Sequence, residues 1–392
     1  MCGGVKMTAN ELIGLIPQHI FRELGAETKV DHQVKKLTGE IMFKLILFSM
    51  LNSNQMSLRV MEALLQSSKF KVFCNHQQYI APSRYNSIRD RICTINADYF
   101  EQLFKTIFSI YHKQLNQQKV LAKADSTYVS LSAKLLTIGM HNGPSEEKHQ
   151  VKYSVVLQGS LPASVKVFTE DKYISESIAL AELIDGASCL KEEVVVFDRG
   201  LQTRDAFDQF TGDEKLFIGR SKTQIHYQQQ QLNELIKDKP ADATLTITSD
   251  SQGYLFNEKQ QRTKHLYRVI RGVLDHNGEE ICFITNIMDE GAYQIAAWYK
   301  QRWEIELFFK FLKQHLSASH LVNRTLNGIK VMIYMTMITA MLVLAYKKIN
   351  KIKGFKIAKL RFEIELEDDL IKTIVRLCGG NPDNANHLFS SA

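Results

Sequence analysis

The sequence predicts an α/β core behind a helical N-terminal region, with an antiparallel β block set into the core. Three observations carry this. Residues 1 to about 117 show helical apolar spacing in "HQVKKLTGEIMFKLILFSMLN", "SLRVMEALLQSS" and "NADYFEQLFKTIFSIYHKQL". From residue 118, β-rich runs alternate with helical ones, and "EEVVVFDRG" holds an unbroken apolar run, Val194 to Phe197, of the kind a strand buried on both faces needs. Residues 223–288 are rich in strand patterns, with a hairpin turn expected at Asn277-Gly278.

In chain order, "YIAPSRYNSIRDRI" places Pro82 and Ser83 at a helix start, and Arg84, Arg89 and Arg91 make that helix basic. These arginines read as a solvated face or as DNA contacts. "KVLAKADSTYVSL" is a strand ending at Asp125, and "YSVVLQGS" with "ASVKVFTE" forms a hairpin around Leu161 and Pro162. "ISESIALAELI" is helical, and the strand of Val194 to Phe197 ends at Asp198. After the β block come "YKQRWEIELFFKFLKQH", the charge-free run Val331 to Tyr346, and a basic C-terminal region. The apolar run is 16 residues, short of the roughly 17–25 that span a bilayer, so it is expected to be a buried core helix. The expected segments are 1–117, 118–222, 223–288, 289–350 and 351–392.

The 392 residues are enough for a large core, and the net charge of +7 leans toward a polyanionic partner. Six cysteines without a CxxC pair point away from zinc ribbons and disulfide frameworks, and toward a reducing, cytoplasmic setting. The N-terminus shows no secretory signal pattern. His141, His149, His226 and His265 lack metal-ligand spacing.

Asp125 and Asp198 each follow an apolar strand and precede a turn, the position where α/β sheets build their sites. Wrapped on one helix at about 100° per residue, Tyr299, Arg302, Glu306 and Lys313 fall within roughly 60°, with Lys310 nearby. Ile305, Phe308, Phe309, Phe311, Leu312 and Leu316 take the other side, which packs inward while the charged stripe points out. By itself the stripe reads as a surface helix with an i,i+4 ion pair, Arg302 to Glu306.

The combination is more specific. Tyr299, Arg302, Glu306 and Lys313 stand at Tyr-x2-Arg-x3-Glu-x6-Lys spacing, downstream of Asp125-Ser126-Thr127 and Asp198-Arg199-Gly200. Residues 118–350 thereby resemble the DDE transposases of bacterial insertion sequences, in the group with a Y-R-E-K signature. The resemblance implies a ribonuclease-H-like catalytic domain, with Asp125 and Asp198 on neighbouring central strands, Glu306 on a helix and a β insertion before it. It implies that these three carboxylates are catalytic and hold two Mg²⁺ or Mn²⁺ ions. It also implies that Tyr299 and Arg302 hold a phosphate near the cut end and that Lys313 supports DNA binding. Lys310 and Arg199 join them as candidate DNA contacts, and Ser126 and Thr127 adjoin the ligands. The chemistry agrees: Mg²⁺ prefers hard oxygens, Arg grips phosphate bidentately, and two metals serve phosphodiester cleavage.

The implied activity is cut-and-paste transposition. The chain would bind double-stranded DNA at terminal inverted repeats, cleave it and join the 3′ ends to target DNA. It would act as a homodimer, near the bacterial nucleoid and without a membrane. The N-terminal helices would form a DNA-binding domain. The basic run Lys347 to Arg361 and Lys259, Arg262, Lys264, Arg268 and Arg271 of the β block would line the DNA. Some relatives stack a β-insertion tryptophan on a flipped base; here both tryptophans, Trp298 and Trp303, lie on the signature segment, leaving Tyr254 or Phe256 as substitutes. The rival readings are another ribonuclease-H-like nuclease, such as a resolvase, and a non-enzymatic DNA-binding relative.

Overall fold

The computed structural model describes residues 6–52, 56–74, 80–115, 121–130, 139–142, 145–187, 193–222, 224–235, 239–316, 323 and 325–384. Side chains are described for these residues except 130, 142 and 145–149. Cys2, Cys189 and the His149 side chain lie outside that set, as do the expected boundary at 117/118 and residue 223 of the next.

Seven helices open the chain: α1 (Ala9–Gly14), α2 (Gln18–Thr28), α3 (Gly39–Asn52), α4 (Leu58–Gln66), α5 (Ser68–Phe73), α6 (Tyr85–Thr94) and α7 (Ala97–Gln114). Local chemistry sets several starts. Thr8 and Glu11 form a reciprocal capping box on α1, and Ser57 and Asn96 cap α4 and α7 through their side chains. α6 begins just after Pro82-Ser83. Arg91 of α6 is neither a solvated charge nor free for DNA. Its guanidinium donates to the carbonyls of Leu37 at 2.8 Å and Val30 at 2.7 Å, clamping the loop before α3.

The sheet begins with β1 (Ala122–Ser130), β2 (Met140–Asn142), β3 (Ser145–Gln158) and β4 (Leu161–Phe168), then α8 (Glu176–Gly186), β5 (Val194–Phe197), α9 (Arg204–Gly212) and β6 (Leu216–Ser221). β3 and β4 form the hairpin expected at Leu161-Pro162, turning through Gly159 at φ +59°. β1, β5 and β6 run parallel, and β3 lies antiparallel on the other edge of β1. Next come β7 (Tyr227–Leu232), β8 (Leu245–Leu255), β9 (Tyr267–Leu274) and β10 (Glu280–Thr285). They are antiparallel as expected, and the β9–β10 hairpin turns beside Gly278 at φ +71°. These strands extend the core sheet: β10 pairs directly with β6 in one ten-stranded sheet ordered β2-β3-β1-β5-β6-β10-β9-β8-β7, with β4 on β3. Within this block Arg268 is buried in a bidentate pair with Asp250, at 2.6 and 2.9 Å, and does not line a DNA path.

The chain closes with α10 (Ala292–Lys300), α11 (Trp303–His315), α12 (Leu326–Ile349) and α13 (Phe355–Leu377). α12 contains the charge-free run. It is the one described helix long and apolar enough to cross a membrane, and 94% of its apolar window is buried inside the chain's own core. The region expected as a basic tail is instead largely the packed helix α13, which buries Phe362, Leu366 and Leu370. Lys359 within it is buried and paired with Glu363.

The main core joins distant parts of the sequence. α12 packs on α3, α6, α7, α13 and β4, and α11 packs on β1 and α13. Apolar side chains of the first seven helices therefore share one cluster with Ile305, Phe308, Leu312 and the length of α12. A second cluster, around Phe197, Phe207, Phe217 and Tyr267, lies between the sheet and helices α8 and α9.

Candidate active site

β1 and β5 pair in parallel as far as Ala124 and Phe197, so Asp125 and Asp198 are the next residues at the same level. Asp198 leaves the sheet there. Asp125 does not: it is the fourth residue of a nine-residue strand and stays paired with Val155 of β3. The turn expected after Asp125 is replaced by further strand, because β3 continues alongside β1 after β5 has ended. Sites at the carboxyl edge of parallel strands arise this way.

The segment from Tyr299 to His315 is two helices, not one. At the joint, the amides of Gln301, Arg302, Glu304 and Ile305 each bond the carbonyl three residues back, at 2.9–3.1 Å. Such bonds tighten the turn to about three residues, which aligns Tyr299 and Arg302 on one side. α11 then carries Glu306 one turn beyond Arg302. Only the far end of the stripe points to solvent as expected: Lys310 and Lys313 are exposed, Glu306 is half-buried, and Tyr299 and Arg302 are buried. The apolar side, from Ile305 to Leu316, is buried as expected, while Trp303 is exposed.

Arg302 is the centre of the site. Its guanidinium lies 2.5 Å from Glu306 Oε1, 3.7 Å from Asp125 Oδ2 and 3.8 Å from Asp198 Oδ2. Tyr299 donates its hydroxyl hydrogen to Asp198 Oδ1 at 3.0 Å, and its ring packs on Phe283. The three predicted carboxylates thus surround one cation. Ser126 donates its backbone N–H to Asp125 at 2.7 Å, and its hydroxyl bonds Ser154 across to β3. Lys310 and Lys313 are exposed on α11. Arg199 is half exposed and 3.6 Å from Glu279.

The two aspartates are pushed in opposite directions. Burial raises Asp125 to about 7, and the negative charges of Glu176 and Asp198 add to it, against the Ser126 N–H and Arg302. Burial also opposes the charge of Asp198, yet the Arg199 N–H, Arg302 and the Tyr299 hydroxyl outweigh it and hold Asp198 below the usual carboxylate range. Burial, then Asp198, raises the Tyr299 hydroxyl. The result is a protonatable carboxyl at the same level as a fixed carboxylate.

All three carboxylates offer hard oxygens, the donors Mg²⁺ or Mn²⁺ prefer. Among the described residues no three His, Cys, Asp or Glu already stand as a metal cluster. The charge that balances the carboxylates here is the guanidinium. In kind the donors fit a divalent cation, and the group they converge on here is the Arg302 guanidinium.

Sequence reasoning missed Glu176. It sits in the first turn of α8, and a Cβ placed on Gly200 would fall 2.4 Å from its carboxyl carbon. Gly200 thus packs closely against the Glu176 side chain. Ser177 beside it accepts the N–H groups of Gln202 and Thr203, each at 3.3 Å, and ties α8 to the loop after Asp198. A glutamate opening a helix is ordinary capping chemistry, so nothing in its local pattern marks it. Lys123 was missed too; two residues before Asp125, it is buried with Glu304 at 2.9 Å. Of the expected stacking substitutes, Tyr254 already carries the guanidinium of Arg262 at 4.3 Å from its ring centre. His141 pairs with Asp171, and His226 is exposed, neither at the carboxylates.

Fold and site together describe an α/β protein whose acidic residues converge at the carboxyl edge of its sheet. The chain belongs to the transposase DDE domain family, whose sequence model matches residues 140–342, more than half its length. The match covers Asp198 and Glu306 and begins after Asp125. A second model, of a domain of unknown function, matches residues 6–73. A probable transposase for insertion sequence element IS5377 of Geobacillus stearothermophilus is 28% identical over 255 residues, 62% of each chain. A putative transposase for element IS4SA of Synechocystis is 27% identical over 276 residues, 66% of this chain and 72% of that one. The chain thus spans less than two thirds of the first relative's length.

Proposed function

We propose that this chain is an insertion-sequence transposase of the Y-R-E-K group, with a ribonuclease-H-like core. It binds the terminal inverted repeats of its element, cleaves the DNA and transfers the 3′ ends to a target. The observation that carries the reading is the convergence of Asp125, Asp198 and Glu306 on one guanidinium, within 3.8 Å.

In this reading the three carboxylates are the catalytic ligands of two divalent ions. Those ions, when bound, supply activation of water and stabilisation of the leaving 3′ oxygen. The chain's own residues do the rest. Arg302 offsets the mutual repulsion of the carboxylates in the free protein, and its guanidinium would be able to grip a phosphate oxygen of bound DNA. Tyr299 fixes the orientation of Asp198. Asp125, whose pKa burial raises to about 7, would hold such an ion as the carboxylate. Lys310, Lys313 and Arg199, all solvent-facing, meet the DNA backbone. The helical N-terminal region, residues 1–117, contributes to binding DNA, and two copies pair the two ends.

The test uses a duplex cut from the DNA flanking the gene, incubated with the chain, Mg²⁺ and a supercoiled plasmid, with products run on a denaturing gel. The expected result is metal-dependent strand cleavage at the element end and joined products in the plasmid. Cleavage of branched DNA without joining would instead indicate a resolvase-type nuclease, and binding with no cleavage a non-enzymatic relative.

A further inference from the structure

A cavity of 430 Å³ opens at the carboxyl end of β6 and the start of α9. Gln202, Arg204, Ser221, Lys222, His226 and Lys259 are on its walls. It is continuous with the loop after Asp198. Gln202, four residues on from Asp198, donates to the Arg220 carbonyl at 2.9 Å and accepts from the Ser221 hydroxyl at 3.0 Å.

Arg204 is the unexplained group. Its Nη1 atom is buried and has no hydrogen-bond partner. No carboxylate forms an ion pair with it among the described residues, although Asp205 and Glu258 also line the cavity. Its nearest compensation is the ring of Phe207, 5.3 Å from the guanidinium carbon. Burial accordingly depresses its pKa. An unpaired cation in such a place is costly unless something arrives to pair with it. Lys222 and Lys259 bring further positive charge to the same walls, and the start of α9 there has no side-chain cap. Arg268 pairs with Asp250, Arg91 with carbonyls and Asp31, and Arg302 with the site carboxylates, although Nε of Arg302 and of Arg271 are likewise buried without a partner.

We infer that this cavity is a seat for a nucleic-acid backbone phosphate, held by Arg204 with Lys222, one step along the DNA from the carboxylates. The inference rests on the DNA-acting reading of the site. It adds a contact that lies outside the Tyr299–Lys313 segment. A phosphate in the cavity would supply the negative charge that Arg204 lacks there.

The test is binding of a fluorescein-labelled 30-base-pair duplex, at about micromolar chain, to the full-length protein in EDTA, followed by anisotropy across a KCl series. R204M and K222Q should each weaken binding about tenfold. Each should also lower the slope of log affinity against log salt by about 0.9. R204K should keep the slope. Without DNA, R204M should melt at or above the wild-type temperature, since it removes an uncompensated charge; a residue kept only for packing would do the opposite. Wild-type affinity and slope in both R204M and K222Q would overturn the inference, as would a lowered melting temperature in R204M with DNA binding intact. A wild-type chain that binds no duplex at any salt would instead remove the DNA-acting reading on which it stands.

Discussion

Asp125 and Asp198 begin as the same residue type at the same level of the sheet, and their surroundings separate them. Burial lifts Asp125 to about 7, while the Arg199 N–H, Arg302 and Tyr299 keep Asp198 low. The folded protein therefore holds a proton on Asp125 that the unfolded chain releases near the ordinary 3.8. Between these values the native state binds more protons, so the Asp125 contribution to stability falls as pH rises from about 4 to about 7 and levels above that. D125N should remove this slope. In EDTA, urea titrations should show D125N gaining on wild type across that window and keeping the advantage at pH 8; an advantage independent of pH would contradict the assignment. Arg302 acts in the opposite sense. R302M leaves three carboxylates facing one another without their cation, so it should destabilise the chain by about 2 kcal/mol at pH 8. The loss should shrink toward pH 4, as Asp125 takes up its proton. The same titration reads both variants.

At the scale of elements, the apolar side of the signature segment and the strand of Val194–Phe197 were legible, because each is written in local periodicity. The joint between α10 and α11 was not. No Pro or Gly marks it, and the i to i+3 bonds that tighten it leave the apolar spacing intact. Yet this joint brings Tyr299 and Arg302 onto one side and turns that end of the stripe inward. The continuation of β1 past Asp125 was equally hidden, since it depends on the length of a partner strand far along the chain. Helix α12 is the clearest element-level test. Leu342 is fully buried, so L342A should cost about 2–5 kcal/mol. Trp303 is 58% exposed, so W303A should change stability by no more than about 0.5 kcal/mol. Both are read from urea midpoints.

For the whole molecule, the two family matches at 6–73 and 140–342 suggest separable pieces, but the core does not divide between them. α12 is sheathed by α3, α6 and α7 from the front of the chain and by α13 from its end. A reading by segments sees a helical region, a sheet and a basic tail; only tertiary packing joins the first and last around α12. Removing residues 6–115 should therefore strip α12 and leave an insoluble protein, as measured by the soluble fraction on expression. A soluble, cooperatively melting remainder would show the N-terminal helices to be an appendage. Asp198 at a strand end and Glu306 on a helix were legible as types, Asp125 proved to lie within its strand, and Glu176 and Arg204 became visible only once the loop after Asp198 had a shape.

The central claim is that Asp125, Asp198 and Glu306 are one catalytic unit. It is tested most directly by strand cleavage of an element-end duplex in Mg²⁺ by D125N, D198N and E306Q, with duplex binding measured alongside. Each variant should bind DNA and lose cleavage by about a thousandfold. Wild-type cleavage by any one of the three would contradict the account.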